Sequence, residues 1–272
     1  MKTDLIVSVF VIICFRVTIM KNDLYVKEIS LSGDIPENNY LSNLPVINHL
    51  KNNKIKLNKP VTFIVGENGT GKSTLIEALA VSLGFNPEGG SRNFNFHTEN
   101  SHSDLYKYIA VAKGTNRLRD VFFLRAESFY NVATNIERMD EDNDYEYFVP
   151  PYVIDAYGGV SLHKQSHGES FMALAENRFG GEGIYILDEP EAALSPTRIM
   201  RLMCVMNKLL KNKSQFIIST HSPILMTFPD AEIFEITEDG IRNTDYMHTE
   251  HYLVTKRFLE NPRKMLDILF EE

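Results

Sequence analysis

Two kinds of apolar spacing take turns along this chain. Leu24 to Leu31 (LYVKEISL) alternates with period two over much of its length, which predicts a half-buried strand. Residues 32–58 are polar and rich in turn formers, with Pro36, Pro45 and several Asn, and predict loops with one short strand near Ile55-Lys56-Leu57. Lys59-Pro60 then launches an apolar run, Val61 to Val65, that predicts a strand. From Ser73 to Leu83 the period becomes helical, with apolar residues at Leu75, Ile76, Leu79, Ala80 and Leu83, and Gly84 supplies a stop. Strand-like runs follow at Leu105 to Val111 and Val121 to Leu124, then a helix at Glu169 to Arg178 and a buried strand at Gly183 to Leu187. Arg198 to Leu210 is an amphipathic helix whose Met-rich face reads as core, and Gln215 to Ser219 is again a buried strand. Strands separated by helices in this way predict an α/β fold, a mixed, mostly parallel sheet flanked by helices.

Between the first apolar run and its helix lies Gly66-Glu67-Asn68-Gly69-Thr70-Gly71-Lys72-Ser73, with Thr74 next. This is the phosphate-loop pattern G-x-x-x-x-G-K-S/T in the strand–loop–helix setting it requires. Glycines let the backbone take positive φ and turn its N–H groups inward on a phosphate. The helix starting near Lys72 adds its positive N-terminal end. Lys72 is placed to reach the β- and γ-phosphates, and the Ser73 hydroxyl to hold Mg²⁺. The expected cofactors are therefore ATP and Mg²⁺, with residues 66 to 74 as their cradle.

A second site follows at Gly183-Ile184-Tyr185-Ile186-Leu187-Asp188-Glu189, where a buried strand ends in paired carboxylates. In a hydrolytic phosphate-loop protein Asp188 helps hold Mg²⁺, directly or through water, and Glu189 polarises the attacking water. The plainer alternative is an acidic pair capping a helix, and the phosphate loop upstream argues against it. Thr220-His221-Ser222-Pro223 ends the next buried strand. A lone His there is usually structural, yet a single crossover helix separates it from the carboxylate strand. That places His221 on the same edge of a parallel sheet, beside the γ-phosphate.

Composition narrows the context. The 272 residues can bury a full core as one large α/β domain, with or without a small subdomain. A net charge of −8 argues against a generally basic nucleic-acid coat and leaves a local basic patch open. The only cysteines, Cys14 and Cys204, have no paired spacing, which fits a reducing cytosol and suggests neither a disulfide framework nor a thiolate zinc site.

Leu5 to Phe15 is a mostly apolar run of 11 residues, too short to span a bilayer. Three readings of it are open: an upstream extension outside the core, with Met20 the more natural start; an added edge strand; or an export or membrane signal. Asp4 and the missing small-x-small cleavage site weigh against the last. His97 and His102, near Glu99 and Asp104, match no ligand spacing and predict a solvated loop. Arg92 in the same segment is either a surface arginine or a phosphate or nucleic-acid contact. Asp140, Asp142 and Asp144 imitate the start of a calcium loop, but Tyr145 stands where Gly is required and Pro151 where the bidentate Glu belongs, so a solvated acidic loop is expected.

The order GENGTGKST, QSHGES, ILDEPEAALSP, STHSP resembles the ABC-type ATPases of the SMC and RecF group, and in particular a family of small bacterial ATPases sharing the FFLRAESFYN and HGESF runs. The resemblance covers roughly residues 22–270. It implies a phosphate-loop NTPase fold of ABC type, with 21–272 as the ATPase domain, 1–20 as a non-core extension and a small inserted subdomain at about 128–165. It further implies that Ser166, Gly168 and Glu169 form the signature loop, that Glu189 is the catalytic base and that His221 is the switch histidine. Gln165 and His167 depart from the family's Leu and first Gly. Arg125-Ala126-Glu127-Ser128 replaces its Q-loop, leaving Glu127 as the candidate Mg²⁺ contact, and Ala193-Leu194-Ser195 ends the carboxylate loop without the usual Asp. Only about forty residues separate Ser128 from the signature loop, too few for a long coiled coil.

In such proteins the signature helix end closes on the γ-phosphate held by the opposite subunit, so ATP joins a head-to-tail homodimer. Three uses of that cycle stay open: a cytoplasmic nucleic-acid-associated ATPase in repair or anti-phage defence, with DNA or a nuclease as partner; the nucleotide-binding subunit of an ABC transporter; or a non-catalytic ATP-gated switch. No stable membrane insertion is expected.

Overall fold

The computed structural model describes residues 24–90, 103–126, 129–141 and 152–271. In chain order its elements are β1 (Val26–Leu31), α1 (Pro45–Leu50), β2 (Ile55–Lys56), β3 (Val61–Gly66), α2 (Lys72–Ser82), β4 (Ile109–Lys113), β5 (Asp120–Arg125), α3 (Phe129–Glu141) and α4 (His167–Asn177). They continue with β6 (Gly183–Asp188), α5 (Pro196–Leu210), β7 (Gln215–Ser219), α6 (Pro223–Met226), β8 (Glu232–Thr237), β9 (Gly240–Thr244), α7 (Glu250–Glu260) and α8 (Pro262–Phe270).

The central sheet has strand order β5-β6-β7-β3-β8-β9. All neighbours in it are parallel except β8 and β9, which form a hairpin. The expected mixed, mostly parallel sheet is therefore present. Its inner strands β6, β7 and β3 are buried on both faces, as parallel strands are. On one face Phe63, Phe122, Leu124, Tyr185, Leu187, Phe216 and Ile218 join an apolar cluster with α3, α4 and α5. On the other, Ile64, Phe123, Ile184, Ile186 and Ile217 pack with α1, α2 and a small antiparallel sheet ordered β2-β1-β4. The alternation of Ile64 between Phe63 and Val65 follows directly from the two-residue period of a strand. Gln215 ties the small sheet to the large one: its amide oxygen accepts from Tyr25 and Val26 N–H at 2.8 and 2.9 Å, and its amide nitrogen donates to Val26 O at 2.9 Å.

Several local expectations need correction. Residues 32–58, read as loops, contain helix α1; Pro45 at its first position is a helix-start signal. Leu105 to Val111 is not one strand, because Ser103 Oγ accepts from Leu105 N–H at 3.1 Å and caps a 3-10 turn over Asp104–Lys107 before β4 begins. Asp140 is not merely a solvated acid: it ends the α3 region and accepts from Val153 and Ile154 N–H at 2.5 and 2.9 Å. Helix α2 is buried well beyond its predicted stripe, including Lys72 and Glu77. Within residues 128–165, Phe129, Val132, Ala133, Ile136, Tyr157 and Leu162 belong to the same apolar cluster as β5 and β6. The segment 1–20, Arg92, His97, Glu99, His102, Glu127, Asp142, Asp144, Tyr145 and Pro151 lie outside the described residues.

Candidate nucleotide site

Strand β3 delivers the glycine loop, and its backbone admits no substitute at two places. At Gly66 φ is +143°, and a Cβ there would lie 2.4 Å from Ile236 O. Gly71 has φ +96°, and its Cβ would meet Val46 Cγ1 at 2.5 Å, so α1 packs close against the turn. Thr70 Oγ1 donates to Glu67 O at 2.8 Å and closes the loop on itself, leaving Glu67, Asn68 and Gly69 exposed at its tip. Among the described residues no side chain caps the N-terminus of α2; its leading N–H groups have no intrahelical partner and point into the loop. Lys72 is buried, and its Nζ donates to Glu67 O at 3.0 Å. Burial holds its pKa below the usual lysine range, against the pull of Glu189, Asp188, Glu67 and Glu191.

The carboxylates arrive from β6, and β7 runs between β6 and β3. Register pairs Asp188 with Ser219 and Ile64 with Ser219, so the three strand ends lie level. Asp188 Oδ1 accepts from Ser73 Oγ at 3.1 Å and also from Ser219 Oγ, while Arg125 Nε lies 3.4 Å from its other oxygen. Burial pushes the Asp188 pKa up, partly offset by Ser219, Arg125 and Ser73. Arg125 is held in turn by Glu77 Oε2 at 2.7 Å.

Glu189 adopts left-handed backbone angles, φ 49° and ψ 55°. That conformation costs a non-glycine residue about 1–3 kcal/mol and persists where the surroundings enforce it. Here Glu189 N–H is fixed by Ser219 O at 3.2 Å and Ser219 Oγ at 3.1 Å. The turn brings Glu189 Oε1 to 3.3 Å from His221 Nε2. On its other side, His221 Nδ1 lies 2.6 Å from Nε2 of His251, and His221 N–H donates to Glu191. Burial, with Lys72 and His251 nearby, lowers the His221 pKa against the pull of Glu189. Burial likewise raises that of Glu191.

The Ser166–Glu169 turn starts α4. Glu169 Oε2 accepts from Ser166 N–H at 3.0 Å and from Ser166 Oγ at 2.7 Å, a capping arrangement, and Glu169 Oε1 lies 3.2 Å from Arg198 Nη2. The Ser166 hydroxyl and N–H, with Arg198, hold the Glu169 carboxyl below its usual range. A side chain at Gly168 would collide with Arg198 Nη1 at 2.6 Å and Ala193 O at 2.9 Å. The turn is thereby docked on the loop that follows the carboxylates.

These residues fit a Mg²⁺-bound nucleotide. The glycine cradle excludes side chains, an uncapped helix end and a buried cation face it, and two hard oxygen donors, Ser73 Oγ and Asp188 Oδ1, meet at its base. Among the described residues there is no group of three or more His, Cys, Asp or Glu suited to a metal. Four residues at the site carry no role that the sequence alone signals. Arg125 and Glu191 stand inside motif runs, Ser219 ends a predicted strand, and His251 sits on α7 with no motif to mark it.

Residues 41–167 match a family model described as "AAA domain". The adjoining residues 168–227 match one described as "AAA domain, putative AbiEii toxin, Type IV TA system". No curated protein matches the sequence significantly. Among solved structures, cbiO1 of the ABC transporter complex cbiONQ from Clostridium perfringens is 18% identical, covering 88% of this chain and 97% of that one at a TM-score of 0.49. The SMC head domain from Thermotoga maritima is 17% identical, covering 82% and 99% at 0.41. The dimeric bacterial ABC transporter cassette MJ0796 is 14% identical, covering 71% and 88% at 0.44. All three likenesses are remote.

Proposed function

We propose that residues 41–227, which match two AAA-domain family models and carry the ABC-type, SMC-like order of motifs, are a P-loop ATPase domain, and that the chain hydrolyses ATP between two copies of itself. The observation that carries this reading is the level alignment of β3, β7 and β6, which sets Ser73 Oγ 3.1 Å from Asp188 and Glu189 3.3 Å from His221. The loop N–H groups and Lys72 hold the β- and γ-phosphates. Ser73 and Asp188 hold Mg²⁺, with Glu127 a further proposed ligand. When bound there, Mg²⁺ would offset the negative charge of the phosphates. Glu189, turned out of the strand by its left-handed backbone, takes a proton from the attacking water. His221 Nε2 faces the same point and steadies the γ-phosphate.

Ser166 is exposed at the start of α4, where its N–H and hydroxyl are held by the Glu169 carboxylate, and a helix end of this kind can take an anion. In this reading it serves the partner's γ-phosphate. ATP binding closes the head-to-tail pair and hydrolysis opens it. Residues 1–20 are proposed to lie outside this domain, and 128–165 to be a small insertion on it. Among the described residues no helix is long and apolar enough to cross a membrane. A nucleic-acid-associated or defence role in the cytoplasm is favoured over transport, and the toxin–antitoxin wording of the second matched model supports it.

The test is phosphate release and particle size with ATP and Mg²⁺, for the natural chain and for Ser166→Arg. The natural chain is expected to release phosphate with a rate per molecule that rises with protein concentration. Ser166→Arg is expected to bind ATP, stay monomeric and lose turnover. Full turnover by monomeric Ser166→Arg would remove the composite site.

A further inference from the structure

We propose that His251 is a positioning residue for hydrolysis: it donates from Nε2 to His221 Nδ1 and so fixes the tautomer in which His221 presents Nε2–H to Glu189 and the γ-phosphate. The inference deepens the hydrolytic reading above and rests on it for the meaning of His221.

Two ring nitrogens 2.6 Å apart share one proton, so one ring donates and the other accepts. Which does which follows from their far sides. Among the described residues His251 Nδ1 is buried with no hydrogen-bond partner, so a proton there would be buried and unsatisfied. Its Nε2 faces His221 Nδ1 at 2.6 Å and, more distantly, Glu67 Oε1 at 3.9 Å. The His251 proton therefore sits on Nε2. His221 must then accept at Nδ1, which places its own proton on Nε2; that atom too is buried and makes no hydrogen bond among the described residues, and the Glu189 carboxylate 3.3 Å away is what favours a proton there. The opposite arrangement would aim a ring lone pair at an anionic oxygen.

The charged and titratable groups around the pair are Glu67 and Lys72 from the phosphate loop and Glu189 and Glu191 from the end of β6. Burial and Lys72 both lower the His221 pKa, which favours the neutral ring in which the tautomer is a choice.

The fold holds His251 in place through the sheet. Glu235 on β8, buried beside β3, accepts from Glu250 N–H at 3.0 Å and pins the start of α7. Thr249, also buried, donates from Oγ1 to Tyr246 O at 2.7 Å. The imidazoles meet at a ring-centroid distance of 4.7 Å. A residue thirty positions from the switch histidine thus sets its proton from a helix that belongs to none of the nucleotide motifs.

Variants of the whole chain and ¹⁵N-histidine spectra test this. His251→Leu keeps the bulk and loses the donor, and is expected to lower kcat about 10- to 100-fold, the usual cost of an outer-shell partner, at unchanged KM for ATP. His251→Gln can donate from its amide nitrogen and is expected to restore kcat to within about threefold of the natural chain. In a His221→Ala background His251→Leu is expected to cost nothing more. Separately, ¹⁵N-histidine NMR of the natural chain is expected to show His221 as the Nε2–H tautomer, and of His251→Leu a mixture. An Nδ1–H tautomer in the natural chain, equal kcat for His251→Leu, or no rescue by Gln in a folded protein overturns the proposal. Absence of any ATP turnover in the natural chain defeats the hydrolytic reading instead, and the spectrum still decides the contact. It also decides should His251→Leu fail to fold.

Discussion

Replacing Lys72 by Met isolates the charge of the phosphate loop. The side chain is only 4% exposed, and its Nζ makes a 3.0 Å hydrogen bond to Glu67 O. Met keeps most of the stem and loses the ammonium group. With ATP bound, that group would make charge-assisted hydrogen bonds to phosphate, each worth about 1.5–3 kcal/mol. Loss of one corresponds to a dissociation constant about 10- to 150-fold higher. Without nucleotide the sign reverses. The folded-state pKa of Lys72 is lowered by burial, so folding disfavours its charged form. That penalty is full below the folded-state pKa, fades as pH rises toward the ordinary lysine value of about 10.4, and is gone above it. Lys72→Met is therefore expected to melt at or above the natural chain at pH 7. Calorimetric titration with ATP and Mg²⁺, paired with thermal melts, reads both quantities. Affinity within about threefold of the natural chain, or a melt several degrees lower, refutes the reasoning.

Asp188→Asn should follow the same logic with the opposite pH sense. Burial raises the Asp188 pKa, so its ionised form costs stability at pH 7 and not below the carboxylate range, about 4. The variant is expected to melt at or above the natural chain at pH 7, with the gain vanishing toward pH 4, and to bind ATP without Mg²⁺ dependence; a lower melt at pH 7 contradicts this. Binding to nucleic acid, if it is the partner, should weaken steeply with salt as phosphate counterions are released. A binding assay from low to physiological salt checks it, and flat or absent binding with ATPase unchanged by DNA counts against that role.

Much of the fold was legible because parallel strands buried on both faces leave unbroken apolar runs, as at Val61 to Val65 and Gln215 to Ser219. The meeting of the phosphate loop with the Asp188-Glu189 strand end was legible because each stands at the end of a buried apolar run, and the two runs lie in one parallel sheet. The position of His221 followed from one crossover helix between β6 and β7. Helix α1 was hidden by its polar flanks, although Val46 defines the wall behind Gly71. Arg125 was visible as a residue but not as a partner, because its link to Asp188 and Glu77 depends on three elements far apart in the chain. His251 was beyond reach for the same reason. Its place is set by Glu235, and neither lies in a patterned run whose spacing reports the other.

The central claim is that two copies share each ATP and that Glu189 releases them. Glu189→Gln keeps the size of the side chain and its hydrogen bonding but cannot take a proton from water. A positioned base is worth about 10²–10⁴ in rate. Particle mass and single-turnover hydrolysis, measured together on Glu189→Gln at saturating ATP and Mg²⁺, therefore test the claim most directly. A stable dimer with hydrolysis slowed about 10²- to 10⁴-fold is the expected result. A monomer under those conditions, or hydrolysis at the natural rate, contradicts it.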